Sequence, residues 1–243
     1  MSAPLTSFKL LSFDVYGTLI DWERGALTAL APALKKGNVP DLSRQKILQL
    51  FDALEAPLEK QHPDWPYSRI LSAVYPKLLA SLGLPPPSDE ESAAFGASVG
   101  DWPAFPDTVA ALQRLQKRYK LVVLSNVDNA SFAASNARAL GGFAFDAVFT
   151  AQEIGSYKPS HRNFEFMLGE VERRFGVRKE EVLQTAQSQF HDHHPARELG
   201  IRSVWISRPE AVMGNRENPV FDWRFDTLGD MADAVEREGE GRE

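Results

Sequence analysis

The stretch Leu10-Leu11-Ser12-Phe13-Asp14-Val15-Tyr16-Gly17-Thr18-Leu19 decides how the rest of the chain is read. An apolar run that stops at a carboxylate and turns through Gly-Thr predicts a buried strand with Asp14 at its C-terminal end. In open α/β sheets ligands bind just outside such strand ends. Asp14 is therefore a candidate nucleophile, since a carboxylate can form a covalent intermediate that splits one difficult step into two easier ones.

Outward from this point, short apolar runs alternate with amphipathic segments. Strands are expected at residues 9–14, 121–125, 147–150, 182–185 and 203–206, several rich in Val, Ile or Phe. Helices are expected at 107–118, 129–140, 161–175 and 195–199, with Asp107 as an N-cap and Gly200 as a C-terminal stop. This alternation predicts an α/β fold, a doubly wound parallel sheet covered on both faces. The stretch from 21 to 103 differs. It carries helical patterns at 23–35, 42–58, 67–82 and 90–99, with Pro-rich breaks at 63–66 and 85–87 and no strand pattern. The expected organisation is a core of residues 1–20 and 104–243 with a helical cap, 21–103, inserted between the first two strands.

Bulk properties narrow the function classes. A chain of 243 residues can bury a sizeable interior, and 43% hydrophobic with 25% charged residues is ordinary for a globular protein. A net charge of −6 argues against a nucleic-acid or anionic-membrane surface as the main partner. There is no Cys, which excludes a disulfide framework, a thiolate nucleophile and Cys-ligated zinc. No signal-peptide pattern opens the chain and no apolar run has the length of a membrane span. The expectation is a cytoplasmic protein acting on a small molecule, with a homodimer as an admissible assembly and a frayed charged tail at 237–243.

Three further groups follow predicted strands. Ser125-Asn126 precedes a helix start, where a hydroxyl and free N–H groups could hold an anion, or could only shape the turn. Lys158, beside Pro159, could set one ammonium near two anions, or stand solvated at the surface. Asp192 could be a second carboxylate at the sheet edge, an N-cap for the helix at 195–199, or both. His191, His193 and His194 could suggest a metal, but neighbouring side chains point apart and no acidic pattern supports them. They are expected to be solvated or capping, with His191 alone facing the site.

In chain order, Asp14 to Thr18, Ser125-Asn126, Lys158-Pro159 and Asp192 resemble the four motifs of the haloacid dehalogenase superfamily of hydrolases. The resemblance runs over nearly the whole chain. Most phosphatases of that superfamily carry a second Asp two residues after the nucleophile, where this chain has Tyr16, and two acids four apart in the last motif, where it has Ser188 and Asp192. A phenol with a pKa near 10 is a poor substitute for a carboxylic acid in protonating an alkoxide. Mg²⁺ usually takes one or two carboxylates, so its binding is weakened. A halide leaves without a proton or a metal.

The form Asp14-Val15-Tyr16-Gly17-Thr18 is similar to the L-2-haloacid dehalogenases, whose cap Arg is commonly followed by Gln-Lys, as in Arg44-Gln45-Lys46. Arg69 is the alternative to Arg44. Where that family has a Tyr after the third motif and Ser-Ser-Asn in the fourth, this chain has Phe164 and Gln187-Ser188-Gln189. The resemblance implies that Asp14 attacks the halogen-bearing carbon of a 2-haloalkanoic acid, and that water positioned by Asp192, with Lys158 or Gln189, releases a 2-hydroxy acid. Tyr16 would shape the pocket. Thr18 and Ser125 would hold the substrate carboxylate, and Arg44 and Asn126 would receive the halide. No cofactor is then required. The alternatives are a small-molecule phosphatase using Mg²⁺ and a catalytically silent binding protein.

Overall fold

The computed structural model describes residues 3–37, 42–215 and 217–240. A sheet of six parallel strands runs in the order β3-β2-β1-β4-β5-β6. The strands are β1 (Leu10–Phe13), β2 (Lys120–Ser125), β3 (Ala147–Thr150), β4 (Val182–Ala186), β5 (Arg202–Ile206) and β6 (Trp223–Phe225). Side chains of β1 alternate between two apolar layers. Leu11 and Phe13 join Leu121, Val123 and Leu183 on one face, while Leu10 joins Val122, Leu124 and Val182 on the other. Each such fully buried side chain contributes roughly 1.5–3 kcal/mol of hydrophobic stabilisation. Five strands fall where they are expected; β6, with three residues and only partial burial, is too short to show a periodicity.

Between β1 and β2 lie α1 (Trp22–Lys36), α2 (Arg44–Gln61), α3 (Tyr67–Ser81) and α4 (Asp89–Ala97), and no strand among the described residues. Their starts follow from local chemistry. Asp21, Ser43 and Ser88 each accept a hydrogen bond from the backbone three residues on, and Ser88 with Glu91 forms a reciprocal capping box. The remaining helices are α5 (Thr108–Leu115), α6 (Asn129–Arg138), α7 (Ala151–Ile154), α8 (His161–Phe175), α9 (His194–Glu198) and α10 (Leu228–Glu240). Apolar side chains of α1 to α4 share one buried cluster with Leu11, Phe13 and Val15, so the inserted helices belong to the same core as the end of β1.

Two capping expectations are corrected. Asp107 stands before α5 without capping it, because its carboxylate takes Arg208 Nη1 at 2.6 Å and Gly229 N at 3.1 Å. Asp192 does not cap α9 either. Residues Gln189–His193 form a π-helical turn, whose cap is Ser188, and this turn points Asp192 inward.

Candidate functional site

Asp14 leaves the end of β1 into a turn that Gly17 completes at a φ of +98°, a conformation that disfavours any side chain. The carboxylate is gripped at both oxygens. Lys158 Nζ donates to Oδ1 at 2.9 Å and Thr18 Oγ1 donates to Oδ2 at 2.7 Å. Lys158 is 1% exposed and donates also to Asp192 Oδ1 at 2.8 Å and to Leu124 O at 2.9 Å, so its three protons are all placed. Burial works against the ammonium, but its two carboxylate partners outweigh burial and hold its pKa above the usual lysine value.

One cation thus serves two anions. Asp192 is fully buried; burial raises its pKa to about 7, opposed by Lys158 and reinforced by the negative charge of Asp14. Gln184 Nε2 donates to Asp192 Oδ1 at 2.9 Å, whereas Asp192 Oδ2 has no partner. The backbone of Lys158 is held from the other side. Asn126 Oδ1 accepts from Lys158 N at 2.7 Å and Asn126 Nδ2 donates to Lys158 O at 2.9 Å.

Asp14 opens into a cavity of about 470 Å³, a size suited to a small-molecule ligand. Ser125, Asn126, Lys158 and Tyr16 line it from the sheet end, and Gln187, Ser188, His191 and Met213 to Asn215 from one side. The wall from the inserted helices is Trp22, Asp52, Glu55, Glu59 and Tyr67. Ser125 is buried and its hydroxyl has no partner. Tyr16 sits among Tyr67 and Trp102 and hydrogen-bonds Ser135 Oγ at 2.9 Å; burial pushes its phenol well above the ordinary value.

The structure therefore brings Asp14, Lys158 and Asp192 together and sets Tyr16, Ser125 and Asn126 on the cavity. It departs from the sequence expectation at several positions. Thr18 does not face the cavity: its proton goes to Asp14, and its oxygen accepts from Gln187 N at 2.9 Å. The amide of Asn126 is engaged by the backbone of Lys158 and serves to hold that lysine. Arg44 is not on the cavity; it pairs with buried Glu23 at 2.7 Å, and Glu23 in turn accepts from Val212 N and Met213 N. Arg69 lies over the Trp65 ring. Gln189 is fully buried off the cavity, its Oε1 accepting from Val220 N at 2.8 Å. Phe164 belongs to the apolar layer on the opposite face of the sheet.

The histidines also divide. His191 lines the cavity beside Ser188. His193, expected to be solvated or capping, is buried between Ser203 Oγ and Ala186 O, and burial lowers its pKa to about 4. It is a neutral brace between strand ends.

For Mg²⁺, which the superfamily resemblance allows, the carboxylates on hand at the sheet end are Asp14 and Asp192. Lys158 pairs with both Asp14 and Asp192, and Ser188 turns its hydroxyl to His191. Among the described residues no group of three or more His, Asp or Glu side chains is disposed to hold a metal.

What sequence reasoning missed is the wall from α2. Asp52, Glu55 and Glu59 lie at i, i+3 and i+7, one helical face, but acids at that spacing are ordinarily a solvated surface. Burial raises the pKa of all three. Glu55 reaches about 7, with the Tyr67 hydroxyl donating to it at 2.5 Å, and Glu59 is pushed up further by its acidic neighbours.

Residues 8–183 match the profile of a hydrolase family described as haloacid dehalogenase-like hydrolase. Among solved structures, a defluorinating L-2-haloacid dehalogenase is similar at 17% identity and a TM-score of 0.77, over 97% of this chain and 99% of that one. The L-2-haloacid dehalogenase of Xanthobacter autotrophicus is similar at 20% identity and 0.76, over 94% and 98%. A protein of Bacillus subtilis, given as a candidate hydrolase of the same superfamily bound to magnesium, is similar at 16% identity and 0.74, over 94% and 99%. At these identities the likeness is one of fold. No curated protein matches the chain in sequence. No helix among the described residues is long and apolar enough to cross a membrane.

Proposed function

The chain belongs to the haloacid dehalogenase-like hydrolases, and from that premise we propose that it hydrolyses a carbon–halogen bond in a 2-haloalkanoic acid through an ester on Asp14. One observation carries the reading. The group standing two residues beyond the held carboxylate is a buried phenol already bonded to Ser135, so the leaving group must depart without help from an adjacent acid. Halide does so.

In the first step one Asp14 oxygen bonds to the halogen-bearing carbon, and halide leaves with the electron pair of the broken bond. Lys158 and Thr18 fix the carboxylate for this attack, a positioning effect. The buried hydroxyl of Ser125, which has no partner among the described residues, supports its assignment as a donor to the substrate carboxylate. Once Asp14 is esterified its charge is gone, and Lys158 is left paired with Asp192 alone. Asp192 then takes a proton as water attacks the Asp14 carbonyl carbon. The bond between that carbon and the alkyl oxygen breaks, Asp192 returns the proton to the departing alkoxide, and the 2-hydroxy acid leaves as the Asp14 carboxylate is regenerated. Closure of the inserted helices over bound substrate would keep bulk water from the first step. Action in the cytoplasm and without a cofactor belong to the same proposal.

The test is halide release from 2-bromopropionate beside phosphate release from p-nitrophenyl phosphate, each in EDTA and in Mg²⁺. Halide release that survives EDTA and disappears in Asp14→Asn is the expected result. Phosphate release that requires Mg²⁺, with no halide release, would transfer the protein to the phosphatase reading. Failure of both with the protein folded would leave the silent binding protein.

A further inference from the structure

Between its sheet end and its helical end the cavity has a side wall, to which the segment leaving β5 supplies Met213, Gly214 and Asn215. Near the start of that segment Arg208 Nη2 donates to Thr18 O at 2.8 Å, which ties it to the turn after Asp14. From the core side Gln187 Nε2 donates to Met213 O at 2.9 Å and Gln189 N donates to Gly214 O at 2.8 Å. Gly214 has a φ of +81°, and a Cβ there would stand 2.3 Å from Gln187 Oε1, so the segment tolerates no side chain at its closest approach. From the side of the inserted helices the holding group is a buried carboxylate. Glu23, in the first turn of α1, is 3% exposed. Its Oε1 accepts from Val212 N at 3.0 Å and from Met213 N at 2.9 Å, and its Oε2 accepts from Arg44 Nη2 at 2.7 Å.

We propose that Glu23 is a positioning residue for the reaction: oriented by Arg44, its carboxylate fixes residues 212–215 as a wall of the cavity and so sets how tightly substrate is held. The proposal rests on the reading of the Asp14 cavity as the reaction site. A carboxylate taken out of water is stable only among donors, and here the donors come from two distant parts of the chain. Val212 and Met213 are 189 and 190 residues from Glu23, and Arg44 is 21 residues away on α2. Two consecutive amides aimed at one carboxylate fix the bend of the backbone between them, and the same residue, Met213, then gives its carbonyl to Gln187. Trp22, the neighbour of Glu23, lines the same cavity, so the first turn of α1 and the segment from β5 meet at the site. Arg44 therefore acts on the site through Glu23 and does not touch substrate. Loosening this wall displaces cavity-lining atoms while Asp14, Lys158 and Asp192 keep their hydrogen bonds. Substrate binding should weaken and the chemical step should not.

The test reads the wall apart from the chemistry. Hydrogen exchange on the full chain without substrate reports the amides of Val212 and Met213 directly. In Glu23→Gln their exchange should quicken by roughly tenfold to hundredfold, the range for a lost hydrogen bond to a charged group, while exchange in β1 and β4 stays that of the parent. Arg44→Met should move the same amides in the same direction by less; its side chain is 41% exposed, so this variant carries the test if Glu23→Gln does not fold. With 2-bromopropionate, KM should rise about tenfold in Glu23→Gln while kcat stays within about threefold. The double variant should be no worse than Glu23→Gln alone, since both residues act along one path. Unchanged exchange at Val212 and Met213 in folded Glu23→Gln overturns the proposal. So does a kcat that collapses in Arg44→Met while KM holds, because Arg44 would then meet the substrate. If the parent itself releases no halide, the dehalogenase reading falls and the wall is still decided, by exchange and by calorimetry with 2-hydroxypropionate. Weaker binding of that acid by Glu23→Gln supports the proposal, and equal binding overturns it.

Discussion

The two ends of the cavity solve the problem of burying charge in opposite ways. At the sheet end Asp14, Lys158 and Asp192 form a hydrogen-bonded set around one cation, braced by Thr18, Asn126 and Gln184. At the helical end three acids crowd together with a tyrosine hydroxyl as the hydrogen-bond donor to Glu55. The first arrangement is held by hydrogen bonds within the protein and fits a part that must not move during bond making, with Asp192 Oδ2 left free for the reaction. The second gathers like charges on one face of α2. Chemistry is thus assigned to the sheet end.

The largest effect that would break this contrast is at the nucleophile. Asp14→Asn should lower turnover by roughly 10⁴-fold or more while the circular dichroism spectrum is unchanged. A folded variant with near-normal rate would remove the sheet end from the chemistry. Next is Lys158→Met, which leaves two buried carboxylates without their shared cation. Removing one partner of a buried ionic set costs about 3–5 kcal/mol, read as a lowered midpoint in denaturant, and activity should be lost with it. An unchanged midpoint would mean that the network is not holding charge as described.

The helical end should respond with the opposite sign. The pKa of Glu55 rises from 4.5 to about 7 on folding, so the folded protein binds that proton more tightly than the unfolded chain does. The stability this group lends is complete below about pH 4.5 and is lost as pH rises through about 7. Glu55→Gln retains an acceptor for Tyr67 and has no charge to bury. It should exceed the parent above neutrality by on the order of 1 kcal/mol, with the difference closing toward about pH 5. Denaturation midpoints at several pH values would show this; a variant less stable than the parent above neutrality would contradict it. Smallest is Tyr16→Phe, which removes the hydrogen bond to Ser135, worth about 0.5–1.5 kcal/mol, and should keep much of the halide-release rate. Complete loss of that rate in a folded protein would give the phenol a chemical role.

The same contrast governs what the amino-acid sequence makes legible. Strand-end motifs carry their own context: an apolar run, then Asp14, then Gly17-Thr18 is a local arrangement, and Ser125 and Lys158 follow in the same way. The parallel sheet and the helical insertion are legible for that reason. Roles that depend on where a side chain finds its partner are not. Thr18 and Asn126 turn to Asp14 and Lys158, Arg44 turns to Glu23, and Gln189 turns to Val220 N, and most of these partners are distant in sequence. The inward direction of Asp192 follows from a π-helical turn with no recognisable signature. Asp52, Glu55 and Glu59 have the spacing of an exposed stripe, and only the packing of α2 against α3 brings them to the cavity wall, where Asp52 stays exposed.

A covalent ester on Asp14 is the central claim, and it can be observed directly. The protein would be mixed with excess 2-bromopropionate, quenched in acid within the first turnovers, digested, and examined by mass spectrometry. A propionate adduct is expected on the peptide carrying Asp14, absent from Asp14→Asn and from protein quenched without substrate. Halide release with no adduct at Asp14, or an adduct on another residue that is retained in Asp14→Asn, would contradict it.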